Sequence, residues 1–297
     1  MDKKNENKKD DYLYIILHIP KTGGMTLRKH IEENFKKNEI IKIYCEEDPK
    51  IMKIGLDNYL LNHPNKKSVK IIIGHNFSYG IHKYFQKKVR YITFIREPIE
   101  IPISVYNFIR TNINEDVRDF SKLSHKILQN IKKKIVKKGE IKSFGEIIEK
   151  FQNMSNIMTK TILYGFFFEK AFDEKKELKI NEKNLTKAKE IISNFYFIGL
   201  NHKKEDLFFV YHILNIKKFF PNQNISKKYV KKNKELIIKL FKKNKYDIKL
   251  YEYALKLNKN FKEEKPFFNQ LYKKIFVKTK IYQFKKSLID IFHSLFY

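Results

Sequence analysis

The chain has 297 residues, with 63 Lys or Arg against 33 Asp or Glu and a formal net charge of +30. Its 42% apolar and 15% aromatic content excludes disorder throughout, and a single cysteine, Cys45, excludes an intramolecular disulfide framework and a multi-cysteine zinc site. All but five of the basic residues are Lys (the Arg are Arg28, Arg90, Arg96, Arg110 and Arg118), so the charge reads first as a bias of composition shared with the many Ile and Asn.

Residues 1–11, MDKKNENKKDD, lack the apolar stretch of an export signal and read as a short disordered tail. No run reaches the roughly 18 apolar residues of a membrane span, so a cytoplasmic location is expected. Tyr12–Leu17 is a short β-rich run ended by Pro20, and Met25–Lys37 then has helical spacing. Val69–Ile73, ended by Gly74, and Val89–Ile95 are further strands. Pro98 is expected to start a helix whose stripe is Ile99, Ile103, Tyr106 and Ile109. Val117–Ile135 keeps a helical period, with Gly139 as its stop. Leu185–Phe195 is a helix before a fourth strand, Tyr196–Leu200, and Asn233–Phe261 and Phe267–Tyr297 are helical, Lys-rich and aromatic. Nearly all-apolar strands alternating with helices predict an α/β fold: a central, mostly parallel β-sheet flanked by helices, with a helical C-terminal extension.

Between the first strand and helix lies Pro20-Lys21-Thr22-Gly23-Gly24-Met25-Thr26. Two glycines let backbone approach an anion closely, the helix N-terminus adds its dipole, Lys21 adds a full charge, and Thr22 and Thr26 add hydroxyls. The Lys precedes the glycines, so this is not the Walker pattern. Taken alone, the loop fits an ordinary strand–helix turn equally well. Arg96 ends the third strand, and Ser104 follows on the next helix. In a parallel sheet Arg96 and the 21–26 loop would meet beyond the carboxyl ends of the strands, and an Arg fork with the hydroxyl of Ser104, about two turns along the helix, can clasp a second phosphate. In isolation, Arg96 fits a salt bridge to Glu97 or Glu100 and Ser104 a surface serine.

Together, His18-Ile-Pro-Lys-Thr-Gly-Gly24, Arg96-Glu-Pro98 and Ser104-Val-Tyr106 resemble the sulfotransferases that use 3′-phosphoadenosine-5′-phosphosulfate (PAPS), most closely the carbohydrate O-sulfotransferases of the heparan sulfate 2-O and 6-O type. Gly74-His75-Asn-Phe-Ser-Tyr79, Asn156–Gly165, Leu185–Lys189 with Phe197–Leu200, and Asn244–Ala254 resemble further segments of that family, in order, over roughly residues 12–262. The resemblance implies a P-loop-like three-layer fold in residues 12–262, with 263–297 as a Lys- and aromatic-rich extension. It implies that Lys21, Thr22, Gly23, Gly24, Met25 and Thr26 hold the 5′-phosphosulfate, Met25 through its amide alone, and that Arg96 and Ser104 hold the 3′-phosphate. PAPS is then the donor and 3′-phosphoadenosine-5′-phosphate (PAP) the product, with no metal and a glycan as acceptor. Lys21 clamps the leaving group, and His75 is the general base. The chain departs from the family pattern at Glu97, at Ile101-Pro102, at Asn201-His202, where a Glu-bearing pair is common, and at Ile73, where some members carry a second His.

Sulfuryl transfer needs stabilisation of charge on the leaving oxygen and a base near the working pH for the acceptor hydroxyl, tasks suited to Lys21 and His75. His18 and His82 are rival bases, His18 being expected to support the loop, and Phe77 and Tyr79 are candidates to stack on a sugar. A P-loop-like small-molecule kinase is the competing enzyme class. A nucleic-acid-binding module is the non-enzymatic alternative, disfavoured because Lys is spread over almost every segment. Residues 266–297 hold six Lys, one acid and nine Phe or Tyr, a composition suited to peripheral contact with an anionic membrane or to packing on the domain.

Overall fold

The computed structural model describes residues 12–44, 49–115, 122–137, 139–166, 171–173, 177–218 and 227–265. Strand β1 (Tyr12–Leu17) is followed by helix α1 (Gly24–Asn34), β2 (Ile40–Ile43), α2 (Pro49–Ile54), α3 (Leu56–Leu61), β3 (Ile71–Gly74), β4 (Lys88–Ile95) and α4 (Glu100–Glu115). Then come α5 (Lys122–Ile135), a two-strand ribbon of β5 (Val136–Lys137) and β6 (Glu140–Ile141), α6 (Phe144–Lys150) and α7 (Ile157–Tyr164). The described chain closes with α8 (Glu182–Ser193), β7 (Phe197–Leu200), α9 (Lys204–Ile213), α10 (Lys234–Lys243) and α11 (Lys245–Glu264).

The five main strands pair in the order β2-β3-β1-β4-β7, and every pairing is parallel. Side chains alternate across a strand, and here both sets are apolar. Leu13, Ile15 and Leu17 of β1 join Ile72, Tyr91 and Leu200 in one core, which α4, α7, α8 and α11 cover. Ile16, Ile71, Ile73, Ile92, Phe94 and Phe197 form the other, packed on Leu27 and Ile31 of α1 and on Phe208–Leu214. The result is a three-layer α/β architecture. Among the described residues no helix is long and apolar enough to cross a membrane.

The structure corrects several expectations. Ile40–Ile43 is an edge strand, too short for its alternation to stand out in the sequence. The helix after β4 begins at Glu100, because Glu97–Ile99 form a turn closed by Glu100 N–H donating to the Glu97 carbonyl (3.0 Å). Gly139 does not stop a helix; its φ of 82° makes the bend between β5 and β6. Asn233–Phe261 is two helices, broken at the buried Asn244. Residues 1–11, 117–121 and 266–297, for which a tail, a helix start and a helical extension are expected, lie outside the described residues.

The junction at Asn244 ties α11 to α7. Helix α7 begins after Asn156, and its first amides point at Asp247 of α11: the carboxylate accepts from Met158 N–H (2.9 Å), Thr159 N–H (2.8 Å) and Thr159 Oγ1 (2.7 Å). In return Asn156 Oδ1 accepts from the N–H groups of Tyr246 and Asp247, both at 3.1 Å, at the start of α11. Each helix thus supplies the N-terminal cap of the other, satisfying amides that no intrahelical carbonyl reaches. The segments that begin at Asn156 and Asn244 are therefore in contact.

Candidate active site

Parallel register puts three side chains in one row. Gly74 pairs with Leu17 of β1 and with Ile43 of β2, so the residues after these positions, His75, His18 and Tyr44, emerge side by side from the carboxyl edge of the sheet. His18 N–H donates to the Gly74 carbonyl at 2.7 Å, and the Ile43 carbonyl presses so closely on Gly74 that no Cβ fits there. The His18 and His75 ring centroids lie 5.7 Å apart. Tyr44 OH lies 3.1 Å from His18 Nδ1, and its ring meets His75 edge-on at 4.8 Å. All three side chains are buried, and Phe166, whose N–H donates to the His75 carbonyl (2.5 Å), closes the far side.

The phosphate-loop candidate is built on the next residues. Lys21 and Gly23 both have positive φ, 65° and 90°, which turns the chain sharply into α1. For Lys21, a side chain with a Cβ, this conformation is strained by roughly 1–2 kcal/mol. Gly24 is required by a close approach: a Cβ there would fall inside the His18 ring. The first intrahelical bond runs from Leu27 N–H to the Gly23 carbonyl, so the amides of Gly24 and Met25 stand at the open end of the helix. The buried Thr22 hydroxyl, expected as a donor to the anion, donates in this structure to the Ile19 carbonyl at 2.7 Å. Thr26 is buried and Met25 is exposed.

Arg96 succeeds β4 and meets this loop. Its Nη1 donates to the Lys21 carbonyl at 3.1 Å, and its Nη2 reaches Glu100 at 3.5 Å. The Lys21 ammonium lies 4.2 Å above the ring of Phe108. Glu100, Ser104 and Phe108 are successive i, i+4 positions on one face of α4. Half-buried Ser104 is therefore one turn from the residue touching Arg96 and one turn from the residue touching Lys21. The three sequence candidates Lys21, Arg96 and Ser104 come from the carboxyl ends of β1 and β4 and from the helix after β4, and so flank the gap between these two strand ends. There the connections leave the sheet in opposite directions, the place where open α/β sheets hold ligands. Glu100 also pairs with Lys232, which brings the 227–232 segment alongside, with Tyr229 N–H donating to Asn107 Oδ1 at 3.0 Å.

The electrostatics are uncompensated around Lys21. Burial and the adjacent Arg96 pull its pKa down to about 8, and among the described residues no carboxylate lies within 4.0 Å of its ammonium. Burial, then Lys21 and Arg28, bring His18 to about 3, while burial, His18 and Arg28 hold His75 well below the usual histidine range. Both imidazoles are neutral at pH 7. Arg96 is lowered by burial against the pull of Glu100 and Glu97. An anion in the crevice would offset two desolvated cations at once.

The remaining candidates lie outside this crevice or serve it indirectly. Phe77 is buried in the core, and Tyr79 packs on Tyr91 (4.7 Å) and Phe195 in an aromatic cluster. His82 belongs to that cluster as well, with Nδ1 3.1 Å from Tyr91 OH. At Asn201 the backbone N–H donates to the Ile95 carbonyl and the side chain abuts Gly23. The carboxylate that serves the end of β7 comes instead from Asp206, which accepts from Leu200 N–H at 2.7 Å and pairs with Lys262 at 2.5 Å. Sequence reasoning missed Tyr44, Arg28 and Phe108. Phe108 could have been found from its i+4 spacing to Ser104, whereas Tyr44 follows a strand too short to be read from the sequence. Among the described residues no three His, Cys, Asp or Glu side chains gather as a metal site. No protein-family model matches the chain, and no curated protein matches it significantly.

Proposed function

We propose that the chain is an O-sulfotransferase with a P-loop-like fold, using PAPS as donor and a carbohydrate hydroxyl as acceptor. The observation that carries the reading is the meeting of Lys21 and Arg96, two desolvated cations on one loop contact, with Ser104 between their partners on α4. These residues fit a ligand with two separated anionic groups. Lys21 and the amides of residues 22–26 would hold the phosphosulfate end, and Arg96 and Ser104 the 3′-phosphate. When bound, the donor supplies the sulfuryl group and a phosphate leaving group.

The chain's own contribution is positioning and charge. Lys21 and the start of α1 stabilise negative charge at the leaving oxygen from fixed positions in a site of low polarity. His75 is neutral because it is buried beside cations, which also hold it well below the usual histidine range, so it would take the acceptor's hydroxyl proton only once a bound anionic donor offsets those cations. His18 lies between the loop and His75: its ring packs on Gly24 at one side and faces His75 at the other. The location suited to this reading is the cytoplasmic side, with residues 266–297 as the part suited to touch a membrane.

Two measurements test the reading. Calorimetry with PAP should show binding without magnesium, and incubation with labelled PAPS and a cell-envelope glycan extract should label a glycan. Binding of ATP only with magnesium, with no PAP binding, would instead favour the small-molecule kinase.

A further inference from the structure

We propose that Tyr44 is a positioning residue of the His75 site: its phenol fixes the orientation and tautomer of His18, and its ring holds His75 in place. The kinetic part of this proposal rests on the transferase reading; the spectroscopic part does not.

Three contacts converge on one side chain. The Tyr44 hydroxyl is directed at His18 Nδ1 (3.1 Å), the ring edge meets His75 at an interplanar angle of 87°, and the Arg28 guanidinium lies 4.7 Å over the ring. Arg28 is itself held from behind, its Nε donating to Glu32 at 2.9 Å, a carboxylate that also takes Lys42 at 2.8 Å. Tyr44 is only 2% exposed, and a buried phenol O–H is costly unless it is hydrogen-bonded, so a Phe would serve if filling space were its whole task. With the phenol donating to Nδ1, His18 carries its own proton on Nε2.

The groups around His75 are His18 from the end of β1, with Lys21 beyond it; Tyr44 from the end of β2; Arg28 from α1; and the apolar Phe166 after α7. The charged groups among these are cations, which, with burial, keep both imidazoles neutral. A neutral imidazole accepts a proton only through a ring nitrogen that the donor group can reach, and both His75 nitrogens are buried in this structure. The orientation that Tyr44 enforces therefore decides whether His75 serves as a base.

The test uses the full chain with Tyr44→Phe and Tyr44→Leu. Long-range 1H–15N spectra report the tautomer and titration of each histidine without any substrate, calorimetry reports PAP affinity, and transfer is followed against pH. In Tyr44→Phe the His18 ring nitrogens should shift toward a mixed tautomer with PAP affinity unchanged, and transfer should fall several-fold, with a displaced acid limb. In Tyr44→Leu the His75 signals should move as well, and kcat should fall by about tenfold or more while KM for the donor holds. His18 nitrogen shifts identical to wild type in Tyr44→Phe would overturn the proposal, whether or not the Leu variant folds. If the spectra respond as expected but the wild-type protein transfers nothing from PAPS, the positioning role stands and the transferase reading falls.

Discussion

The Arg96 guanidinium donates to the backbone carbonyl of Lys21, so the charge at the end of β4 is fixed to the strained residue whose own ammonium it repels. Arg96 has structural partners in the Lys21 carbonyl and Glu100, whereas among the described residues the Lys21 ammonium has only the ring of Phe108 beneath it. The left-handed backbone of Lys21 is strained with or without a ligand, and its desolvated ammonium beside a guanidinium is the charge that an arriving anion would offset.

Replacing Lys21 should therefore trade binding for stability. Lys21→Gly relieves the left-handed strain and removes the buried ammonium, and urea unfolding at pH 7 should show a gain of ~1 kcal/mol after the added chain entropy of glycine. Lys21→Ala keeps the strain and should gain less. Both should lose PAP binding in calorimetry. In the wild type, PAP affinity should decline as pH rises above about 8, where Lys21 gives up its proton.

Arg96→Ala should weaken PAP by about 10- to 100-fold, the range for a lost charge-assisted bond, with Arg96→Lys recovering only part because it lacks the planar fork. Unchanged affinity would remove Arg96 from the site.

Acid should destabilise the fold through the two imidazoles. In the folded chain His18 stays neutral down to about pH 3, and His75 is held low by the same causes. Below pH 6.5 the unfolded chain binds protons that the folded chain refuses, so stability falls as pH drops through that window. At pH 5, His18 alone should account for about 2 kcal/mol, read as the loss in urea stability relative to pH 7.5. His18→Gln should flatten that part of the pH profile.

Asp247→Ala should cost about 3 kcal/mol, because it leaves the amides of Met158 and Thr159 buried without their acceptor. The far end of α7 carries Gly165 and Phe166, the latter bonded to the His75 carbonyl, and Asn76 Nδ2 donates back to the Phe166 carbonyl at 2.9 Å. Amide hydrogen exchange should therefore rise at residues 75–77 as well as at the start of α7. Rise at α7 alone would show that the helix does not transmit the loss.

The layers of the fold were legible in the sequence because parallel strands buried on both faces read as apolar runs. Tyr12–Leu17 and Val89–Ile95 are of this kind, and their helical neighbours carry 3.6-residue stripes. Ile40–Ile43 escaped because an edge strand of four residues with Lys42 exposed carries too little pattern. At the site, Lys21, Arg96 and Ser104 could be named because a loop chemistry and a helix spacing are local properties. The row of Tyr44, His75 and His18 could not, since it depends on the register of three strands, and register is decided by pairing rather than by any one segment.

The reciprocal caps of Asn156 and Asp247 also set an order of events in folding. These bonds close loops of 88 to 91 residues, among the long-range contacts that form slowly. Until α11 docks, α7 lacks the acceptor for its first amides, and the support it gives to residues 75–77 is incomplete. A chain interrupted before residue 247 would retain β1, β3 and β4 in its sequence yet lack the brace behind its histidine. The support behind His75 thus rests on a segment that lies far downstream in the chain.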